Sequence, residues 1–340
     1  MSFHLSRFVK QRLFLLLPAF FVLPLFAFAA DWPMYQRDIA RSAVTAESMR
    51  TPLVERWVLR PAHSPQPAWE DPQPVAIEGY RELPRMKFDD AFHVAVVGDS
   101  LYFGSSADFK VYCINVRNGR ERWSFFTGGP VRFAPQVWQD KVYAVSDDGY
   151  LYCLRAKDGK EVWRFRAAPR DDHVMGNGKM ISLWPLRTGV LIDNGVVYCS
   201  AGIFPAEGVH VCALSAEDGK LLWRNGTSGK ALQGYLLASA STLFAPMGRV
   251  SPCGFDRGTG KLNVGNPYFG KGTGGSYALL ADNQVVSGSE QIIAYGQKNS
   301  RTAFAWFPGR RLVITAEASF MVSDKEMWSI DRKNYSKARD

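Results

Sequence analysis

A motif of eleven residues recurs along this chain at a spacing of 40 residues, and that spacing restricts the fold more than any other feature. The first copy runs from Cys113 to Trp123 and the second from Cys153 to Trp163. After an insertion, a third copy runs from Ala213 to Trp223 and a fourth copy from Gly254 to Val264. A fixed period of about 20 to 50 residues is typical of solenoids, propellers and other repeat architectures.

The residues between the motifs have the pattern of short strands. Residues 140–153 contain two runs of alternating apolar residues joined by an Asp-Asp-Gly turn, which predicts a hairpin. Another strand-like run precedes this hairpin, and the end of the motif supplies one more strand, which makes four strands in each repeat. Weaker copies of the motif begin at Ala294 and Ser329. Because four-stranded sheets at this period form propeller blades, we predict an all-β fold, a β-propeller with about six visible blades.

The repeated glycine and tryptophan have a mechanical interpretation. The glycine turns the chain from the third strand of a blade into the fourth, and the tryptophan four residues later inserts between neighbouring blades. We expect these tryptophans to be buried, because a contact made once per blade is structural. The residues assigned to this docking role are Gly119, Trp123, Gly159, Trp163, Gly219, Trp223, Asp256 and Gly260.

The motif Ala-x-Asp-x-x-Thr-Gly-x-x-x-Trp resembles the PQQ-like, or quinoprotein alcohol dehydrogenase-like, propeller repeat of exported bacterial proteins. Asp256, Thr259 and Gly260 match it most closely, and residues 31–38 resemble the mature start of many such proteins. The resemblance implies a propeller and leaves two functional classes open. One contains quinoprotein dehydrogenases; the other contains cofactor-free scaffolds, including that of the outer-membrane β-barrel assembly machinery.

The departures from the quinoprotein pattern favour the scaffold class. Quinoprotein alcohol dehydrogenases are similar to one another in having eight blades, a disulfide between adjacent cysteines and a calcium ion held by Glu, Asn and Asp. None of the five cysteines of this chain is adjacent to another. We therefore predict a non-catalytic scaffold or binding module without a cofactor. The alternatives are an oxidoreductase that uses PQQ with calcium, and a propeller module of a longer multidomain enzyme.

The first 29 residues have the pattern of a signal peptide. Arg7, Lys10 and Arg12 precede an apolar run from Leu13 to Phe28, and a small-x-small pattern ends at Ala29, where we expect cleavage. An uncleaved anchor is the alternative, but the run is shorter than the roughly 20 residues of a membrane span. The prediction is a periplasmic or secreted protein. It is not a lipoprotein, because no cysteine precedes Cys113.

The charge of the chain argues against nucleic-acid binding. The full sequence carries a net charge of +9, and three positive residues with no acidic residue lie in the signal, which leaves 9 − 3 = +6. The basic residues are scattered singly, so neither a nucleic-acid groove nor a polybasic membrane patch is indicated. The predicted partner is a protein or a small ligand.

The predicted organisation has three parts. The signal peptide (1–29) is followed by an extension and linker (30–90), in which residues 53–59 form one strand that can complete a blade. The propeller occupies residues 91–340. Relatives of this repeat class generally have seven or eight blades, and the sixth copy of the motif lacks its outer strand. We therefore expect an incomplete ring with a truncated last blade.

One insertion, residues 170–189, interrupts the repeat. It separates Trp163 from Trp223 by sixty residues instead of forty, and long loops in compact folds are often functional. We expect it on a ring face, outside the four-stranded pattern. Its polar residues do not have the spacing of a metal site, so no metal is predicted. The ligand-binding candidates are Arg170, Asp172, His173, Asn177, Lys179 and Arg187.

Two cysteines are candidates for a disulfide. Cys199 and Cys212 flank a loop and fall opposite one another if the hairpin pairs symmetrically. Directly opposite residues of antiparallel strands lie within disulfide range. Cys113 and Cys153 occupy matching positions on neighbouring blades and should be too far apart to bond.

Overall fold

A computed structural model of the chain describes most of the sequence after the predicted signal peptide. The described residues are 30–69, 88–227, 229–248, 250–264, 275–288, 291–297, 303–308, 311–323 and 325–334. The predicted signal peptide lies outside them. None of the helices in these ranges is long and apolar enough to cross a membrane.

The described residues form a propeller of six sheets in which the strand order follows the sequence. Five sheets have four antiparallel strands and the sixth has three. The strands of the first two blades are β1 (Val94–Val97), β2 (Ser100–Ser105), β3 (Lys110–Asn115), β4 (Glu121–Phe126), β5 (Gln136–Trp138), β6 (Lys141–Val145), β7 (Tyr150–Arg155) and β8 (Glu161–Arg166). The chain then forms β9 (His173–Gly176), β10 (Lys179–Ser182) and β11 (Thr188–Gly189) before the third blade.

The third blade contains one single-turn 3-10 helix, Pro205–Glu207, between its second and third strands. The strands of the third and fourth blades are β12 (Leu191–Asp193), β13 (Val196–Ala201), β14 (His210–Ser215), β15 (Leu221–Gly226), β17 (Leu237–Ala238), β18 (Thr242–Ala245), β19 (Cys253–Asp256) and β20 (Leu262–Val264), with the short β16 (Gly234–Tyr235) between the blades. Those of the fifth and sixth blades are β21 (Ala278–Ala281), β22 (Gln284–Ser287), β23 (Gln291–Gly296), β24 (Ala303–Pro308), β25 (Arg311–Ile314), β26 (Ala318–Val322) and β27 (Met327–Asp331).

The motif glycines turn the chain from the third strand into the fourth. Gly119, Gly159, Gly219 and Gly260 have φ angles of 70°, 70°, 73° and 69°, in the left-handed region that favours glycine. Gly159, Gly219 and Gly260 each also lie under the tryptophan of the preceding blade, and Gly119 lies under Trp57, which precedes the first blade. A Cβ atom on Gly159 would come within 2.5 Å of the Trp123 ring, so a side chain at this position would displace the ring.

The same contact repeats around the ring. Trp163 lies against Gly219 and Trp223 lies against Gly260. The indole of Trp123 also donates a hydrogen bond from Nε1 to the Ala156 carbonyl at 2.9 Å, and Trp223 donates to the Arg257 carbonyl at 3.1 Å. The tryptophan of each of these blades thus contacts the glycine turn of the following blade and holds the two blades together.

The predicted burial of these tryptophans is correct for one of the three. Trp123 is buried, whereas Trp163 and Trp223 are half-buried. All three lie on the fourth strand, which is the outer edge of each sheet, so an indole there can keep one edge open to solvent.

The N-terminal segment, residues 31–41, runs along the inner strands. Trp32 forms an antiparallel bridge with Val96 of β1. Three further backbone hydrogen bonds join the segment to three other blades: Val137 N–H donates to Pro33 C=O, Ala238 N–H to Ile39 C=O, and Leu280 N–H to Ala40 C=O, at 2.8 to 2.9 Å. The segment therefore contacts the first, second, fourth and fifth blades, which the sequence did not indicate.

The cysteine register follows the symmetric hairpin. Cys199 of β13 is directly opposite Cys212 of β14, as predicted. Both side chains are completely buried. The two sulfurs are not bonded in this structure, and all five cysteines carry free thiols. The proximity is therefore established, whereas the bridge stays a prediction.

The sixth blade has three strands among the described residues, β25 to β27. Residues 53–59 form no strand, and all of them except Trp57 are exposed. In the described part of the chain the outer edge of β27 therefore has no paired strand. The sequence-based expectation of a last blade without its outer strand is consistent with this arrangement.

Candidate functional site

The insertion forms a hairpin on one face of the ring. Strands β9 and β10 pair with each other in a separate two-stranded sheet, as expected for a segment outside the blade pattern. Asn177 and Gly178 at its tip have φ angles of 46° and 73°, which fits the two-residue turn of a tight hairpin. At its base, the Ser182 N–H bonds the Asp147 carbonyl at 2.8 Å. The hairpin thus rests on the turn between β6 and β7 of the second blade.

The two faces of this hairpin differ. Val174 pairs with Ile181 on one face, and Ile181 is 2% exposed. Met175 pairs with Met180 on the other face, and these side chains are 64% and 55% exposed. Two large apolar side chains therefore stand side by side in solvent on an element that the blades do not require.

The six predicted ligand-binding residues do not converge on one point. Arg170 forms an ion pair with Asp172 at 2.7 Å at the base of the hairpin. Asn177 donates a hydrogen bond from Nδ2 to the Pro67 carbonyl at 2.8 Å. Lys179 lies over the ring of Phe109 at 4.6 Å. The remaining two are the exposed His173 and the buried Arg187.

Arg187 belongs to a buried charge network beneath the hairpin. Its Nε donates to Asp147 Oδ1 at 2.8 Å, and Arg132 Nε donates to Asp147 Oδ2 at 2.6 Å. Arg132 Nη1 also donates to Asp89 Oδ2 at 2.6 Å. All four side chains are at most 3% exposed. Two guanidinium groups and two carboxylates thus balance each other in the interior.

The charges of this network shift the proton affinities of its members. Burial raises the pKa of Asp89, which Arg132 opposes. Burial lowers the pKa of Arg132, but Asp147 and Asp89 more than compensate, and the pKa is raised. Burial lowers the pKa of Arg187 despite its bond to Asp147. Its Nη1 has no hydrogen-bond partner among the described residues.

The network also holds a covering segment over the ring face. Arg132 Nη1 donates to the Gln66 carbonyl at 2.7 Å, and the Ala68 N–H donates to Asp89 Oδ2 at 2.8 Å. The Trp69 ring lies 5.4 Å from the guanidinium of Arg187. Residues 66–69 and the hairpin together form what we call the ring-face cap.

An aromatic stack fills the interior below the network. Tyr35 stacks on Tyr235 with ring centroids 3.6 Å apart and planes 7° apart. The hydroxyl of Tyr235 accepts a hydrogen bond from the Ala134 N–H and shares another with His93 Nδ1, both at 2.8 Å. Burial lowers the pKa of His93 to about 4, so its imidazole is neutral at pH 7. The guanidinium of Arg41 lies 5.7 Å from the centroid of Tyr235.

Sequence reasoning missed most of these residues. Asp89 and Arg132 have no local pattern that marks them, because their partners are 43 and 15 residues away. Asp147 lies in the Asp-Asp-Gly turn, and the turn alone explains an aspartate there. The insertion was the one useful signal, since it contains Arg187.

A separate groove lies between the third and fourth blades. It has a volume of about 400 Å³ and is lined by Tyr198, Trp223 and Arg257, among others. Arg257 forms an ion pair with Asp193 at 2.6 Å and lies over the Tyr198 ring. Its charge is therefore already paired.

The repeats and the sheets agree with one protein family. The family model described as outer membrane protein assembly factor BamB matches residues 66–191 and 181–335. The chain belongs to this family of PQQ-like propellers. No curated protein is significantly similar to it.

Solved structures similar to this BamB-family chain are propellers of different kinds. The computationally designed Ika8 protein has 13% identity and a TM-score of 0.53, with 74% of each chain covered. A europium-containing methanol dehydrogenase has 11% identity and a TM-score of 0.53, with 89% of this chain and 62% of that chain covered. The quinohemoprotein alcohol dehydrogenase from Comamonas testosteroni has 16% identity and a TM-score of 0.53, with 91% and 52% covered. At these identities the likeness shows the fold alone.

The BamB-family chain spans only part of the length of the two dehydrogenases, 62% and 52%. Among its described residues, no group of three or more His, Cys, Asp and Glu side chains is arranged to hold a metal ion. Its buried aromatic rings also stack on each other: Tyr35 on Tyr235, and Phe88 on Phe133 at 4.9 Å.

Proposed function

We propose that this BamB-family protein is an exported, non-catalytic propeller that binds a partner protein on the ring face that carries the hairpin of β9 and β10. The observation that carries the proposal is the pair Met175 and Met180, adjacent and exposed on an insertion that no blade needs. Methionine is a flexible, polarisable side chain that is over-used at binding surfaces. The proposed partner offers an apolar patch of its own.

The setting of the hairpin supports this role. Its other face is packed through Ile181, its tip is bonded to Pro67, and its base is bonded to Asp147. A binding element held at three places loses little conformational freedom when a partner docks, which preserves affinity. The description of the family as an outer membrane assembly factor also favours a protein partner.

Site-specific photocrosslinking in the native cell envelope tests the proposal. A benzophenone amino acid at position 175 is expected to give one discrete protein adduct. The matched control carries it at position 126 on the outer strand β4, where Phe126 is 68% exposed. That position should give no such adduct. Equal adducts from both positions, or none from position 175, would contradict the proposal.

A binding measurement with the identified partner then tests the methionines directly. Met175→Glu places a charge in the proposed apolar contact and is expected to weaken binding about tenfold or more, since buried interface anchors contribute roughly 2 kcal/mol each. Val162→Glu, on the outer strand β8 at 48% exposure, is the control and should leave the affinity unchanged. Similar affinities for both variants would remove the methionines from the interface.

Export is the part of the proposal that concerns residues 1–29. We infer cleavage after Ala29, which is supported by the charged, apolar and small-residue regions of that segment. The intact mass of the protein recovered from its native cells should correspond to a chain that begins at Ala30. A mass that includes the first 29 residues would show a retained anchor.

We also propose that the protein works without a quinone. The support is the filled interior of the ring face, where Arg132, Asp147 and Arg187 bond one another and the aromatic rings are already stacked. Incubation with PQQ and calcium followed by gel filtration should leave the protein without visible absorbance. A stoichiometric bound quinone would favour the oxidoreductase alternative.

A further inference from the structure

The exposed face of the hairpin of β9 and β10 carries three side chains that can ligate a metal. Successive side chains of a strand point to opposite faces, so His173 and Met175 share one face. Met180 lies directly opposite Met175 in the pairing of the two strands and belongs to the same face. All three side chains are exposed to solvent. This face therefore presents one imidazole and two thioethers.

The register of the hairpin brings these three groups within reach of one another. Gly176 and Lys179 flank the two-residue turn, so the next pair outward, Met175 and Met180, is a non-hydrogen-bonded pair. Residues that face each other in this way have Cβ atoms about 4.5 to 5.5 Å apart. His173 is the diagonal neighbour of Met180, at a spacing of about 7 to 8 Å that long side chains can bridge. The two flexible methionines can therefore meet the imidazole at one point.

The surroundings of this face favour a bound cation. The ammonium group of Lys179 lies on the other face, where it contacts the Phe109 ring at 4.6 Å. Asp171 lies on the same face as His173, and its Oδ1 is 4.0 Å from His173 Nε2. A metal-bound histidine usually has a carboxylate or carbonyl beside its second ring nitrogen, and this carboxylate can take that place.

We propose that His173, Met175 and Met180 form a binding site for Cu(I). Thioethers are soft ligands that select Cu(I), and imidazole also binds copper well. Hard cations such as Ca²⁺ take oxygen ligands instead. The sequence-based expectation of no metal rested on the spacing of the polar residues of the insertion. The strand register adds the two thioethers to that set.

The metal site does not depend on the proposed partner protein. All three ligands belong to one hairpin, whose tip is bonded to Pro67 and whose base is bonded to Asp147. The register that brings the ligands together is therefore present in the isolated chain. Metal binding is measured on the full-length protein alone, so its failure would leave the proposed docking surface unaffected.

Nuclear magnetic resonance of the protein with isotope-labelled methionine methyl groups tests the site. Cu(I) is added under anaerobic, reducing conditions, and the resonances are assigned with the Met175→Leu and Met180→Leu variants. The methyl resonances of Met175 and Met180 should shift together and saturate at one equivalent of Cu(I). Met49 and Met327 are the internal controls, because they are 78% and 73% exposed but lie outside the hairpin. Their resonances should not move at that equivalent.

The affinity of the site is then measured from the same resonances by competition with a Cu(I) chelator. Met180→Leu removes one thioether but keeps an apolar side chain, and His173→Gln removes the imidazole. Each should weaken binding about tenfold or more, since the loss of even an outer-shell partner costs about 10- to 100-fold. Met327→Leu is the matched control and should leave the affinity unchanged. The five cysteines are buried, and Cu(I) held by their thiols would not shift the hairpin methyl groups.

Four results would overturn the proposal. The first is an absence of shifts at Met175 and Met180 when Cu(I) is in excess over the chelator. The second is an equal response of Met49 and Met327, which would mean that any exposed thioether suffices. The third is an equal shift with Ca²⁺, which would exclude a soft-metal site. The fourth is an unchanged affinity in folded Met180→Leu or His173→Gln protein.

Discussion

The carboxylate of Asp147 accepts a hydrogen bond from Arg132 at 2.6 Å in a region where neither side chain is more than 1% exposed. The other oxygen of the same carboxylate accepts a bond from Arg187. One residue of the turn between β6 and β7 therefore holds two arginines from the segments on either side of the second blade. The ring-face cap is anchored through this carboxylate.

Replacing this carboxylate should destabilise the protein severely. Asp147→Asn leaves two buried guanidinium groups with only Asp89 to balance them, and breaking a buried pair costs about 3 to 5 kcal/mol. Urea denaturation of the variant and the wild type measures the loss. The control is Asp158→Asn, which breaks an exposed ion pair with Arg155 at 2.9 Å and should cost less than about 1 kcal/mol. Equal losses would show that the network is not held by its charges.

A second prediction concerns Gly159, which lies in the turn that the Trp123 ring contacts. Gly159→Ala adds a methyl group where φ is 70° and where the Trp123 ring is 2.5 Å away. Gly98→Ala is the control, because Gly98 also has a positive φ of 54° but has nothing within 4 Å of the added atom. The backbone effect alone is about 1 to 2 kcal/mol. The unfolding free energy of Gly159→Ala should fall by clearly more than that of Gly98→Ala, and similar losses would mean that the indole moves without cost.

His93 predicts a loss of stability in mild acid. Its pKa is lowered by burial and by Arg311, with Asp90 opposing, from 6.5 in an unfolded chain to about 4 in the fold. The unfolded chain takes up a proton below about pH 6.5 while the fold does not, so stability is complete above that pH. It decreases as the pH falls from 6.5 towards 4, by about 3 kcal/mol in total.

The variant His93→Gln isolates this contribution, since glutamine can bond the Tyr235 hydroxyl and does not titrate. Between pH 7.5 and pH 5, the wild type should lose about 2 kcal/mol more than the variant in urea denaturation. Parallel pH profiles for the two proteins would show that His93 does not remain neutral in the fold.

The facing cysteines predict a redox difference. Cys199 and Cys212 are directly opposite in antiparallel strands, a position in which Cα atoms lie about 4.5 to 5.5 Å apart, within disulfide range. Protein recovered from an oxidising compartment should therefore show 5 − 2 = 3 alkylatable thiols after denaturation without reductant. Cys199→Ser should show four. A count of five in the wild type would exclude the bridge.

Some of the fold was readable from local residues. The glycines and tryptophans of the repeat predicted the blades because their spacing is regular. The glycines form turns with a positive φ, and the tryptophan rings lie flat against them. The interruption of that spacing located the hairpin of residues 173–182. The symmetric flanks of one loop placed Cys199 opposite Cys212. Each of these inferences depends on neighbours along the chain or on an exact repeat.

The tertiary structure decided the contacts between residues far apart in sequence. Arg132 and Asp89, Tyr35 and Tyr235, and Trp57 and Gly119 meet only because the ring brings separate loops to one face or to the axis. A single arginine or tyrosine carries no sequence pattern from which its contact partner can be predicted. Its pKa depends on burial, which the local sequence does not specify. The sequence by itself therefore determined the blades and their order, while the packing of the blades around the ring decided which charges and aromatic rings are buried together.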